Sequence, residues 1–191
     1  MSNLILASNS PRRQELLKQA GYQFEVFTKD FDEPSNDELS AIDLARFLAE
    51  YKNDRYRELL NSEVIITSDT VVVSESIALG KPKDRIEAIN MISKLMGKYH
   101  QVSSGVCISS KDKRVSFDDV TLVSFKVLSE KEIEYYVDAF MPFDKAGAYG
   151  IQEWIGMIGI DKIKGSFYTV MGLPVHKVYD CLKNEFGIKP L

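Results

Sequence analysis

Apolar and polar positions change period repeatedly along this chain, and the changes mark its elements. Leu4-Ile5-Leu6 is a short apolar run, and Gln14 to Ala20 repeats its apolar residues at helical spacing until Gly21, which reads as strand, turn and helix. Tyr22 to Phe27 alternates as a second strand would. Ser40 is placed to cap a helix reaching about Leu60, with an apolar stripe of Ile42, Ala45, Ala49, Tyr56 and Leu59 that Lys52 interrupts. Glu63 to Val73 is almost continuously apolar and β-branched, the pattern of a strand buried on both faces. A turn at Leu79 to Lys83 leads into a helix from about Asp84 to Met96, closed by Gly97. Tyr99 to Ser110 and Arg114 to Leu128 read as a hairpin around Lys111-Asp112-Lys113. Ser129 with Glu132 forms a capping box for a helix to about Phe140, Ile155 to Ile163 reads as a further strand, and Pro174 to Phe186 as a closing amphipathic helix. Strands and helices interleave, which predicts an α/β fold.

Composition narrows the class. The 191 residues suit one domain, here 1–191, with enough apolar character to bury a core. A net charge of −4 argues against a nucleic-acid polymer as the main partner, so any anion site must be local. Cys107 and Cys181 lie far apart in apolar segments and read as buried thiols. The N-terminal apolar run is too short for a signal peptide, and no stretch approaches the roughly 20 apolar residues that span a membrane, so the cytoplasm is the expected compartment.

Chemistry enters where residues break these patterns. At the first turn, Ser10 stands at a helix N-cap and Pro11 at the first helical position, so unpaired amides and a positive dipole end lie beside Ser8, Ser10, Arg12 and Arg13. Such a turn suits a phosphate chain. Asp69 and Thr70 interrupt the buried strand, and an aspartate there must be paired, hydrogen-bonded or metal-bound. The acidic loop 28–38 offers Glu33, whose backbone is restricted by Pro34. Lys52 on its stripe, Lys81 in a Gly-Lys-Pro turn and Lys145 in the glycine-rich segment 142–152 supply further cations. Together these form an inventory for a triphosphate and a divalent cation, Mg²⁺ or Mn²⁺. His100 has no neighbour at ligand spacing and reads as structural. No Gly-x-x-x-x-Gly-Lys-Ser/Thr, Gly-x-Gly-x-x-Gly, Gly-x-Ser-x-Gly or His-Glu-x-x-His pattern occurs.

Five blocks carry a family resemblance: Leu6 to Arg13, Ser68-Asp69-Thr70-Val71-Val72, Gly80-Lys81-Pro82, Asp144 to Gln152 and Gly172-Leu173-Pro174. In order and spacing they resemble the Maf family of nucleoside triphosphate pyrophosphatases. The resemblance implies a fold akin to inosine triphosphate pyrophosphatases, with an elongated mixed sheet, flanking helices and two lobes around a deep cleft. It implies cleavage between the α and β phosphates to a nucleoside monophosphate and pyrophosphate, removing unwanted or modified nucleotides, and it suggests a homodimer. Asp69 falls on the family's proton acceptor and Glu33 on its acidic loop position, both proposed to hold the metal. Which of the two takes the proton stays open, because two carboxylates on one metal share their titration. Arg12, Thr70 and Gln152 fall on positions tied to substrate choice. The pattern resembles the dTTP/UTP branch, and one carboxamide, Gln152, can accept from N3–H and donate to O4 of uracil or thymine. The 7-methyl-GTP branch and a nucleotide-binding regulator of cell division, the role behind the family name, are the alternatives.

Overall fold

The computed structural model describes residues 3–29, 31–32, 34, 39–59 and 63–190. Among them a mixed seven-stranded sheet runs in the order β2-β1-β3-β5-β6-β7, with β4 beside β3. Its strands are β1 (Leu4–Leu6), β2 (Glu25–Val26), β3 (Val64–Ser74), β4 (Ile77–Leu79), β5 (Tyr99–Ser109), β6 (Arg114–Phe125) and β7 (Ile160–Lys164). The helices are α1 (Pro11–Gln19), α2 (Leu44–Arg57), α3 (Arg85–Leu95), α4 (Glu130–Phe140), α5 (Trp154–Gly159), α6 (Phe167–Val170) and α7 (Val175–Glu185).

The pairing of β3 sets up everything that follows. One edge of β3 pairs with β5 over nine residues, Ile65 to Val73. The other edge is shared: β1 lies parallel to Val64–Ile66, and β4 lies antiparallel to Val72–Ser74. Among the described residues, Thr67 to Val71 therefore have no strand beside them on that edge. β1 ends at this gap and hands the chain to the N-terminus of α1, so the gap lies outside the carboxyl end of a parallel strand, where open α/β sheets bind ligands.

α2 packs across β3 and β5 and is riveted by polar contacts. Buried Asn53 donates to the carbonyls of Ile65 (3.5 Å) and Cys107 (3.3 Å), and the Thr67 hydroxyl donates to the Ala49 carbonyl (2.7 Å). Two large apolar clusters flank the sheet, one built with α3, α4 and α5 around Ile92, Tyr136 and Ile155, the other with α1 and α7 around Leu17, Ile66 and Leu182. Both thiols are buried and free, as their apolar settings predict. Among the described residues no helix is long and apolar enough to cross a membrane.

Several expectations need correction. The stretch Ile155 to Ile163 divides into α5 and β7. Helical spacing places Ile155 and Gly159 on one buried face and leaves Met157 between them exposed, whereas a strand would set all three on the same face. Ser40 does not cap a helix; its hydroxyl donates to the Asp43 carboxylate (2.5 Å), and α2 begins only at Leu44. Ser10 occupies the N-cap position of α1, but its side chain makes no capping bond. The strand expected over 22–27 reduces to the two exposed residues of β2, while β4 and α6 are additional. By contrast, the Ser129–Glu132 capping box forms in both directions.

His100 is buried, with Nε2 on the Tyr149 hydroxyl (2.7 Å) and, among the described residues, no partner on Nδ1. Burial pushes its pKa down from 6.5 to about 4. The unfolded chain therefore binds a proton in this window that the native state refuses, so stability is full above pH 6.5 and falls as pH drops toward 4. The native histidine should cost ~3 kcal/mol of stability between pH 7 and pH 4. Urea titrations across that range should show this slope, and a His100→Gln variant should lack it.

Candidate functional site

At the open edge of β3, strand geometry turns Asp69 out of the sheet and into a cleft. Its Oδ1 accepts the Thr70 backbone N–H (2.6 Å), which no neighbouring strand serves, and its Oδ2 pairs with Lys52 Nζ at 2.6 Å. Both side chains are mostly buried, 16% exposed for Asp69 and 23% for Lys52. The lysine that interrupts the apolar stripe of α2 is thus the counter-ion of the aspartate that interrupts β3. Close packing makes this reach possible. Gly105 lies opposite Asp69 on β5, and a Cβ there would stand 2.3 Å from the Arg46 amide and 2.4 Å from the Ala45 carbonyl carbon. Only a glycine lets α2 lie this near the sheet.

The N-terminus of α1 forms the adjoining wall. Ser8 Oγ accepts the Ser10 N–H (3.2 Å), shaping the turn between β1 and α1. Arg13 is anchored rather than extended: Nε donates to the Gly172 carbonyl (2.8 Å), Nη1 to Ser8 Oγ (3.3 Å) and Nη2 to Thr70 Oγ1 (3.1 Å). Gly172, at φ 108, adopts the backbone that aims this carbonyl. Arg12 crosses the opening to Asp144 at 2.8 Å.

The third wall is the segment 142–152, which contains a short 3-10 turn at Ala146–Ala148. Lys145 is 9% exposed and pairs with both Asp144 (2.7 Å) and Glu153 (3.2 Å). Burial would raise the Asp144 pKa, but hydrogen bonds from Lys145 and Arg12 outweigh it and hold the carboxyl below its usual range. The buried Tyr136 hydroxyl of α4 donates to Glu153 and accepts the Gly150 N–H (3.0 Å), fixing the residues on either side of Gln152. The Gly147 N–H donates to the Gly80 carbonyl (3.0 Å), tying this wall to the turn that carries Lys81.

These walls enclose a cavity of about 470 Å³ lined by Ser10, Arg12, Arg13, Lys52, Asp69, Thr70, Lys81, Lys145 and Gln152, with an apolar floor that includes Leu44, Leu48, Val71 and Met171. A neighbouring cavity of about 370 Å³ shares Ser10, Arg12, Arg13, Lys52, Lys81 and Asp144 and adds Ser8, Lys29 and Tyr56. The shared residues form a cationic neck between a chamber with an apolar floor and a more polar one. Every sequence-derived candidate except Glu33 lies on this surface, and Glu33 falls outside the described residues. Asp144, Glu153 and Tyr136 were not foreseen. Asp144 adjoins Lys145 in a quoted block, but its reach to Arg12, 132 residues away, leaves no trace in local sequence.

Replacing Gly105 with alanine forces α2 off the sheet, because the new methyl meets backbone rather than a flexible side chain. The variant should lose ~3 kcal/mol in urea unfolding. Unchanged stability would show that the helix can move aside.

A family model described as "Maf-like protein" matches residues 3–185. The chain is 48% identical over 181 residues to the "dTTP/UTP pyrophosphatase" of Christiangramia forsetii, covering 94% of this chain and 92% of the relative. It is 47% identical over 182 residues to the protein of that name from Bacteroides thetaiotaomicron, covering 94% of each. The protein of that name from Flavobacterium psychrophilum is 46% identical over 185 residues, covering 96% and 95%.

Proposed function

This chain belongs to the Maf family, and from that membership we propose that it hydrolyses dTTP and UTP to the nucleoside monophosphate and pyrophosphate. The observation that carries the reading is the pairing of Asp69 with Lys52 of the cationic neck, within one cleft with Arg12, Arg13 and Lys81. The relatives bear the pyrimidine name, which supports this branch over the 7-methyl-GTP one.

The two chambers suit the two halves of a nucleotide. A volume of about 470 Å³ with an apolar floor is in the range that holds a small organic ligand, here base and sugar, while the neck and the polar chamber take the phosphates. Gln152 lines the first chamber on a segment held by Tyr136 and Lys145. Its carboxamide accepts from N3–H and donates to O4 of uracil or thymine, a pattern that cytosine does not match.

In the reaction, a water oxygen forms a bond to the α-phosphorus, the bond from that phosphorus to the bridging oxygen breaks, and pyrophosphate leaves. Asp69 takes the proton of the water. The cations at the neck hold the non-reacting oxygens and stabilise charge as it shifts to the leaving group. Asp69 offers one carboxylate in the cleft, and no cluster of three metal-ligating side chains occurs among the described residues, so a divalent cation held here would take most of its ligands from phosphate and water. A site with one or two carboxylates completed by phosphate oxygens and water suits Mg²⁺ or Mn²⁺. Glu33 is the proposed second carboxylate. When bound, the cation would acidify a coordinated water and neutralise phosphate charge.

Asp69→Asn should lower kcat on UTP by about a thousandfold, within the range for losing a general base, while UTP binding by calorimetry persists. A near-normal rate would remove Asp69 from this role. Gln152→Ala should lower kcat/KM for UTP and dTTP by about 10- to 100-fold, the loss of two hydrogen bonds to the base, and narrow the preference over CTP. Pyrophosphate release measured over a panel of nucleotides checks this, and an unchanged preference would place base recognition elsewhere.

A further inference from the structure

Behind the cleft runs a buried chain of hydroxyls to which no role has been given. Ser104 on β5 pairs in register with Thr70 on β3, and the two side-chain oxygens lie 2.8 Å apart. Ser104 Oγ also lies 2.8 Å from the Thr169 carbonyl of α6, which can only accept. A hydroxyl carries one hydrogen, so Ser104 spends its own on Thr169, and Thr70 must donate to Ser104. Reversing the chain would send the Thr70 proton to the Gly172 carbonyl at 3.4 Å, a poorer contact that Arg13 Nε already uses at 2.8 Å. With its proton turned inward, Thr70 Oγ1 presents a lone pair to Arg13 Nη2 at 3.1 Å.

The residue whose carbonyl receives the Ser104 proton is itself held in place by its side chain. The Thr169 hydroxyl donates to Asp119 Oδ2 (2.5 Å), and Asp119 also takes Lys177 Nζ (2.7 Å). Ser104 and Thr169 are both fully buried, so the direction of donation is not scrambled by solvent. We infer that Ser104 is a positioning residue for the phosphate site: it polarises Thr70 so that Arg13 is held with its guanidinium at the cationic neck. This rests on the reading of the cleft as a triphosphate site.

The test compares Ser104→Ala, Ser104→Val and Ser104→Thr in the full chain. Valine and threonine share a shape and differ by the hydroxyl, so the pair separates packing from hydrogen bonding. Two readouts are taken, Kd for inorganic triphosphate by calorimetry and the split of KM from kcat on UTP. The alanine and valine variants should weaken triphosphate binding and raise KM by about tenfold, with kcat within about twofold, as expected when ground-state binding alone is lost. The threonine variant should match the unsubstituted protein. In an Arg13→Ala background, removing the Ser104 hydroxyl should change triphosphate affinity by less than about twofold, because the two act through one contact. Equal triphosphate affinity in the threonine and valine variants overturns the inference even if UTP turnover is normal. Triphosphate affinity that follows the hydroxyl in a protein with no turnover upholds it and removes the hydrolase reading instead.

Discussion

The charge of Asp69 must be compensated where it stands, on the open edge of a strand buried on both faces, and the cleft is built around that need. Lys52 supplies the counter-ion and the Thr70 amide the remaining hydrogen bond. For Lys52 to arrive, α2 must lie almost on the sheet, which Gly105 permits and Asn53 and Thr67 lock. For the edge to be open, β1 must stop at Leu6 and β4 must run no further than Leu79. One ion pair thus ties the lengths of two strands and the packing of a helix to a single point.

Three other cations are held the same way, by contacts that set their direction. Arg13 is fixed by a carbonyl and two hydroxyls, Arg12 by Asp144, and Lys145 by two carboxylates. Preorganised donors of this kind cost little rearrangement when charge develops on a ligand, the usual requirement of a site that stabilises phosphoryl transfer. Tyr136 extends the scheme outward: its hydroxyl holds Glu153 and the Gly150 amide together, so the residues around Gln152 take their shape from a helix on the other side of the core.

Much of this was legible in the sequence where a residue contradicts its surroundings. Asp69 and Thr70 in an apolar run, and Lys52 on an apolar stripe, stood out because burial penalises them, and the structure pairs the aspartate with the lysine. His100 was legible through the absence of neighbours with ligand spacing. What stayed hidden depends on tertiary packing. The residues of α5 look like a strand because Ile155 and Ile158 are β-branched. Their helix packs tightly on the preceding loop, and Gly156 permits this, since a Cβ there would stand 1.9 Å from the Ile151 carbonyl oxygen. Asp144, Glu153 and Ser104 are ordinary residues in ordinary local settings, and only the distant partners Arg12, Tyr136 and Thr169 give them meaning.

The bridge from Arg12 to Asp144 has one more implication. It spans the mouth between two walls of the cleft through one Arg12 nitrogen, so an anion that reaches the remaining donors of this guanidinium arrives beside a carboxylate already seated there. Entry is made against a neighbour of like charge. The strength with which the cleft holds a polyanion is then the attraction of its cations less the repulsion of that carboxylate, and small rival anions with only one contact to offer gain little.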